Sequence, residues 1–596
     1  MQQPSESSLS SQRTRPALPK ISLPSAVVVT RTLRSSRGLA LSDNPYSIWG
    51  KIVLLLLSLM LVEIGLLALY PLFIGLNSSG DALQQALPAL FPWLARLDWT
   101  ASPFAQTWLG LFVWLSPLTA SGNRHLIISC TALALIGALL AALVGKWTTR
   151  RPISRFTLSI LCGIILLGSL LFGITSLFVP VNASPLMQPF VLDGLYGRMI
   201  AFYHLSPYVS APTAVQHDLL LPLVHGPGGL GEPVPTGGPL WLDICLLIAI
   251  LAGNSIAKIL LGFRLLGLVA HIVNVILLWS VLGRLKPTLR VTGTLLYAWN
   301  PVVLLFSIVF VHQMGILVLC LLLATLCLQR ESPTLAWVLI LLGALINGFY
   351  FLLLPIFLRL LLRESRILYM GRRLLWWLGM SCITLLVIAL AYAPYWHGWG
   401  SSGLLNSVRQ SFLPTTAVNS LDAALLHLPV ILPAPIMWLL MPPHWSAFVL
   451  VLEACLLLLG IWLIDTLPLA LLFSSWVLLI GATLLPVYWP WSILPPLALA
   501  ICCINRRTLE LAVLLTLGAL LCTWFWLAPT PPVGQGLVIL ALPLLLWGWV
   551  VFFTSTWRMT HRQQEPEPVK KRKVASVSFS RPSWLSRPSR SRSGKS

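Results

Sequence analysis

Charge is what this chain has least of. Only 9% of its 596 residues are Asp, Glu, Lys or Arg, and 17 of them are acidic against 39 basic. Soluble domains carry roughly 25% charged residues, so an ordinary water-facing surface cannot be built from this composition. Cysteine is present but unorganised. The ten cysteines, from Cys130 to Cys522, lie in or beside apolar runs, none at metal-ligand spacing, and the adjacent Cys502 and Cys503 precede "INRR" at a helix end. Neither a disulfide framework nor a zinc site is indicated. The segments that read as cytoplasmic below hold no P-loop and no G-x-G-x-x-G, which leaves soluble nucleotide chemistry without a binding element. Strand-like alternation is also lacking, and with it the signature of a lipid-facing barrel.

Apolar residues are what the chain has in abundance: 57% of it is hydrophobic, with a mean hydropathy of +0.86. A bilayer core of about 30 Å needs about 20 apolar residues per helix. Runs of that kind recur from Lys51 to about Phe553. Lipid requires every backbone polar group to be paired internally, so the expected fold is all-α: a polytopic transmembrane helical bundle. The net charge of +22 would suggest nucleic acid in a soluble protein. Here it sits in position-specific clusters that mark a membrane side, and no nucleic-acid partner is expected.

Residues 1–48 (with Arg13, Arg15, Lys20, Arg31, Arg34 and Arg37) and 557–596 (with Lys570, Lys571, Arg572 and Lys573) read as basic, disordered tails around a membrane domain at 49–556. The positive-inside rule places both tails in the cytoplasm, which suits a cell (plasma) membrane protein. The Lys570–Lys573 cluster could bind anionic membrane lipid, but a topology anchor is the simpler reading. The first apolar run follows a long polar tail, has full spanning length and lacks a small-residue cleavage site, unlike a signal peptide.

Following the charge rule along the chain gives about 14 spans. Residues 52–75 leave the cytoplasm, 125–144 return, and 156–179 go out again; 104–118 breaks the alternation and reads as interfacial or re-entrant. Two large external loops follow from the weave, about 180–255 and 394–443. In "NPVVLLFSIVFVHQMG", Asn300 to Gly315, His312 and Gln313 fall at an external turn between two spans. The run from Pro333 to Arg363 is too long for one span and short for two, so it reads as two short helices meeting at Asn347.

Polar groups that persist against this background invite a functional reading, because an intramembrane charge costs roughly 2.5–3.5 kcal/mol on insertion scales. The first external loop holds Asp193, Arg198, His204, His217, Asp218, His225, Glu232 and Asp243, and the second holds His397, Arg409, Asp422 and His427. Solvation alone explains most of these. Within helices stand Glu63, Arg264, His271, Asn274 and Glu453, and the spacing of Arg264, His271 and Asn274 puts them on one helical face. A guanidinium near an outer helix end suits phosphate oxygens; a structural pair with Glu63 or Glu453 is an equal alternative. A divalent cation near Asp193, His217 and Asp218 is one reading and a solvated loop the simpler one, and the sequence points to no other cofactor.

Several stretches resemble a family. "DGLYGRMIAFYHLSPY" (Asp193 to Tyr208), "GPLWLDICLLIAIL" (Gly238 to Leu251), "FRLLGLVAHIVNVILLW" (Phe263 to Trp279) and "YAWNPVVLL" (Tyr297 to Leu305) look like the polyprenol-phosphate-mannose-dependent mannosyltransferases of the integral-membrane GT-C class. Weaker echoes are "YAPYWHGW" (Tyr392 to Trp399) and "VYWPWSILPPLALA" (Val487 to Ala500). The resemblance implies catalytic loops facing away from the cytoplasm, a polyprenyl-phosphate sugar donor, a glycan or lipid acceptor, and a first-loop carboxylate that Asp193 matches. It implies inverting transfer, with Asp193 as base or acceptor-orienting group and cationic groups on the departing phosphate.

Two departures accompany it. The family's Gly-His-Asn-Asp ending falls here on His312, Gln313 and Met314, so the second acid is missing, and a Lys common between the two short helices falls on Asn347. Two functions follow. One is a mannosyltransferase-like enzyme using Asp193, with Arg198, Arg264, His271, His312, Gln313 and Asn347 contacting substrate. The other is a catalytically degenerate scaffold that binds or transports lipid-linked glycans.

Overall fold

The computed structural model describes residues 45–67, 124–148, 154–177, 188–224, 237–364, 370–395, 419–426, 433–503, 505–526 and 536–564. The expected re-entrant stretch 104–118, the basic tails at 1–44 and 565–596, and much of the second large loop lie outside these residues. Chain contacts separate a unit Met1–Lys51 from a unit Ile52–Ser596; all that follows concerns the second.

The described residues form helices and no strand. In chain order these are α1 (Pro45–Leu67), α2 (Arg124–Thr148), α3 (Arg155–Ser176), α4 (Gln188–Tyr203), α5 (Pro239–Ala252), α6 (Ile256–Leu285), α7 (Arg290–Ala298), α8 (Pro301–Leu304), α9 (Met314–Gln329) and α10 (Pro333–Ile346). The second half comprises α11 (Leu354–Glu364), α12 (Met370–Tyr392), α13 (Leu421–Leu426), α14 (Ala434–Leu440), α15 (Pro442–Leu463), α16 (Leu467–Leu484), α17 (Leu494–Cys502), α18 (Arg506–Trp526) and α19 (Leu542–Gln564). Local signals set their ends. Ser154 Oγ accepts from Thr157 N–H at 3.1 Å to open α3. Asn300 Oδ1 accepts from Val302 N–H at 3.0 Å, so the Asn-Pro pair stops α7 and starts α8.

Among the described residues seven helices are long and apolar enough to cross a membrane, or eight if the pair Pro287–Ala298 and Pro301–Val309, bent by 52°, counts as one span. The chain is an integral membrane protein of the helical class. About fourteen spans were expected from the apolar runs. The difference arises because six of the apolar helices are only 10–17 residues long, below the roughly 20 residues that cross a bilayer core unaided. The break at Asn347-Gly348 separates two of them, whereas that at Asn300-Pro301 bends the counted pair.

Side-chain contacts sort the helix ends into two groups. The C-terminal ends of α6 and α9 meet through Arg284, Gln329 and Val281, and α7 starts beside them at Arg290. At the opposite end lie the C-terminus of α10, the start of α9, and the pair α4 and α5. That pair runs parallel: Asp193 lies by Trp241, Gly197 by Cys245, and Arg198 by Gly253. Gly197 is required there, because a Cβ on it would stand 2.3 Å from the Cys245 carbonyl oxygen. The helices α15 and α16 are antiparallel, with Gly460 against Phe473 and Glu453 against Gly481.

Candidate functional site

Asp193 projects from α4 into the layer between α4 and α5 and keeps some accessible surface. Burial among apolar walls pushes its carboxyl up to about 7. The Trp241 indole faces it and offsets part of that rise, although its buried N–H reaches hydrogen-bond geometry with no group. Cys245, one turn further along α5, lies within the field of both Asp193 and Asp243. Asp243 is half-buried, and its Oδ1 accepts a hydrogen bond from Tyr395 Oη at 2.7 Å. Tyr208 stands edge-on to Tyr395 at 5.4 Å and donates to the Gly237 carbonyl at 3.3 Å.

Gly237 connects this group to the His312-Gln313 turn. A Cβ there would lie 2.5 Å from the Trp241 ring and 2.8 Å from Gln313 Oε1. That oxygen is buried without a hydrogen-bond partner among the described residues. The next residue, Gly238, donates its N–H to the Ile346 carbonyl at 2.8 Å, directly before the break at Asn347. Asp193, Trp241, Asp243, Gln313 and the α10 terminus therefore share one end of the bundle. A carboxyl poised near neutrality beside unsatisfied polar atoms in an apolar surround can accept a proton from a bound hydroxyl.

The other expected site residues are placed differently. His312 and Gln313 do form the turn between the Leu305–Val309 segment and α9, but they are 6% and 2% exposed rather than at the surface. The α5 approach covers Gln313. The His312 ring stacks on Trp491 at 4.5 Å, and Trp491 in turn on Trp489 at 4.8 Å. Burial pushes the His312 imidazolium down to about 3, which keeps the ring neutral. Arg198 is held by Asp218 at 2.8 Å and by the Gly253 carbonyl at 3.1 Å, so its guanidinium braces the loop around α4. Arg264 is fully buried and donates Nη1 to the Leu177 carbonyl at 3.2 Å, at the end of α3.

His271 lies deeper. Phe263 packs on Phe190 and Trp241 at the level of Asp193, and eight residues of helix rise carry His271 roughly 12 Å from it. There it stacks on Tyr297 at 5.9 Å, beside Asn274, which donates to Tyr297 Oη and to the Gly315 carbonyl. This face of α6 belongs to the core. Asn347 breaks the helix as expected, and its Oδ1 accepts from Phe349 N–H at 3.1 Å to cap the following 3₁₀ segment, Gly348–Leu353.

Trp241, Asp243 and Tyr395 complete the site but were not among the expected site residues. Asp243 is the lone acid of "GPLWLDICLLIAIL", a signal that was available, whereas its Tyr395 partner is 152 positions away. Among the described residues no group of three or more His, Cys, Asp or Glu side chains is arranged to hold a metal ion. Compared with known proteins, the chain matches no family model, no curated protein and no solved structure.

Proposed function

We propose that this protein is a membrane glycosyltransferase that moves a sugar, mannose in the first instance, from a polyprenyl-phosphate donor to an extracytoplasmic glycan or lipid acceptor. On this reading the end bearing Asp193 faces away from the cytoplasm, both termini are cytoplasmic, the membrane is the cell membrane, and the bundle is of GT-C type with the shorter helices completing about 14 passages. The observation that carries it is Asp193, a partly accessible carboxyl raised to about 7 and held beside Trp241. In the step, the acceptor oxygen bonds to the anomeric carbon, the bond from that carbon to the phosphate oxygen breaks, and the hydroxyl proton passes to Asp193.

One set of contacts favours the second reading, a scaffold that binds or transports lipid-linked glycans. Arg198 is engaged with Asp218, and Asn347 caps Phe349, so neither is committed to a departing phosphate. The deciding experiment follows labelled mannose from polyprenyl phosphate in membranes containing the wild type or Asp193→Asn at equal expression. Transfer by the wild type alone supports the enzyme. Retention of labelled donor by both without transfer supports the scaffold, and transfer by Asp193→Asn at the wild-type rate removes Asp193 from the chemistry.

A further inference from the structure

Glu453 plays no part in the site above. It lies near the middle of the 22-residue span α15, is 0% exposed, and has no hydrogen-bond partner for either carboxylate oxygen among the described residues. It points at α16, where Gly481 leaves a notch: a Cβ on Gly481 would stand 2.1 Å from Cζ of Phe349 and 2.9 Å from Oε1 of Glu453. The Phe349 ring therefore fills a hole that only glycine leaves open, with the carboxyl of Glu453 beside it. Phe349 belongs to the 3₁₀ segment after the Asn347 break, a conformation with poorer hydrogen-bond geometry than an α-helix.

Among the described residues no cation pairs with Glu453, although the buried Nε of Arg359 on the adjacent α11 also has no partner. Neither α16 nor α14 carries an ionisable residue. The 3₁₀ segment carries Tyr350, whose hydroxyl donates to Met314 Sδ. From the remaining neighbours, α11 carries Arg359, Arg363 and Glu364, and α13 carries Asp422. On α15 itself, His444 is engaged with the Trp438 ring. No ion pair among the described residues involves Glu453, and a carboxylate there would bear the full cost of an unpaired charge in lipid, which a bound proton removes.

We propose that Glu453 is a proton-binding site whose occupancy keeps Phe349 seated in the Gly481 notch and so holds the broken helix closed. Loss of the proton places a charge against the Phe349 ring, and the segment Gly348–Leu353 leaves the notch so that water or a backbone N–H can reach the carboxylate. The movement has a route to the site at the other side of the break, because the Ile346 carbonyl accepts the N–H of Gly238, and α5 with Trp241 and Asp243 starts there. The device stands whether or not sugar transfer occurs.

Hydrogen–deuterium exchange of the Gly348–Leu353 amides, on full-length protein in lipid nanodiscs and divided by the intrinsic rate at each pH, tests it. The protection of wild type is expected to fall about tenfold for each unit of pH once the proton leaves, while Glu453→Gln keeps the low-pH protection throughout. Protection independent of pH in the wild type, or falling equally in Glu453→Gln, overturns the proposal. A second measurement needs no variant: a hydrophobic carbodiimide, which reacts with protonated carboxyls in lipid, should label the wild type at Glu453, as read by peptide mass, with labelling that declines as pH rises. Absence of label on Glu453 at the lowest pH that leaves the protein folded overturns it equally.

Discussion

The two ends of the bundle differ in what their polar side chains engage. At the basic end Arg284 and Arg290 are engaged with helix ends, although the buried Nη1 of Arg507 has no partner among the described residues. Arg284 donates to the Gln329 carbonyl and Gln329 to the Val281 carbonyl, each at 3.4 Å, so the last turns of α6 and α9 are tied to one another. Arg290 donates Nε to the Trp279 carbonyl at 2.9 Å while its guanidinium lies 4.4 Å over the Trp279 ring. These contacts supply what helix C-termini lack, namely donors and positive charge. At the Asp193 end the helix-end cations are replaced by an acid and neutral polar groups. The indole N–H of Trp241 faces Asp193 without reaching hydrogen-bond geometry, and the buried amide oxygen of Gln313 has no hydrogen-bond partner among the described residues. Unmet polar capacity in a folded interior is costly, and at this end it stands beside the carboxyl on which the proposed transfer rests.

The comparison breaks most visibly at Asp193. On the glycosyltransferase reading, Asp193→Asn lowers transfer about 10²- to 10⁴-fold and leaves thermal stability close to that of the wild type. A stability loss matching the activity loss would make the residue structural. Because burial raises the carboxyl to about 7 and the charged form is the base, wild-type transfer should rise as pH increases through about 7 and level off above it. A rate that falls over that interval reverses the assignment.

Arg198 is the next largest effect and sharpens the contrast from within the same end. Its ion pair with Asp218 is buried, so Arg198→Ala strands a carboxylate and should cost about 3–5 kcal/mol, read as a lowered unfolding midpoint. The double variant Arg198→Met with Asp218→Leu should recover most of it, whereas a phosphate-binding arginine would lose transfer in both.

Gly197→Ala drives a Cβ into the Cys245 carbonyl and should cost about 1–3 kcal/mol through the forced separation of α4 and α5, with transfer reduced alongside. The smallest effect is at the other end. Arg290→Gln removes a hydrogen bond and a cation–π contact, expected to cost about 1–2 kcal/mol while transfer per folded molecule is unchanged. A transfer defect in Arg290→Gln would show that the ends are not independent.

Much of this was legible in residue order. Hydrophobic run lengths announced a helical membrane protein, and the polar Asn300-Pro301 and Asn347-Gly348 pairs announced breaks that the chain makes. The turn at His312 and Gln313 was legible too, since two apolar runs abut there, but its burial was not. That depends on Gly237 and Trp491 approaching from distant segments. Helical spacing put Arg264, His271 and Asn274 on one face correctly, yet said nothing of depth, and roughly 12 Å of helix rise separates His271 from the level of Asp193.

Sequence alone determined the class of solvent this protein lives in and the points where its helices stop, because transfer of apolar residues to lipid and the capping habits of Asn, Ser, Pro and Gly act locally. Tertiary structure decided which charges are spent. Arg198 found Asp218, Asp243 found Tyr395, and among the described residues Glu453 found the Phe349 ring and the Gly481 notch but no hydrogen-bond partner. Whether a polar group is satisfied depends on what distant helices bring within hydrogen-bond reach, and no spacing along one segment encodes that distance.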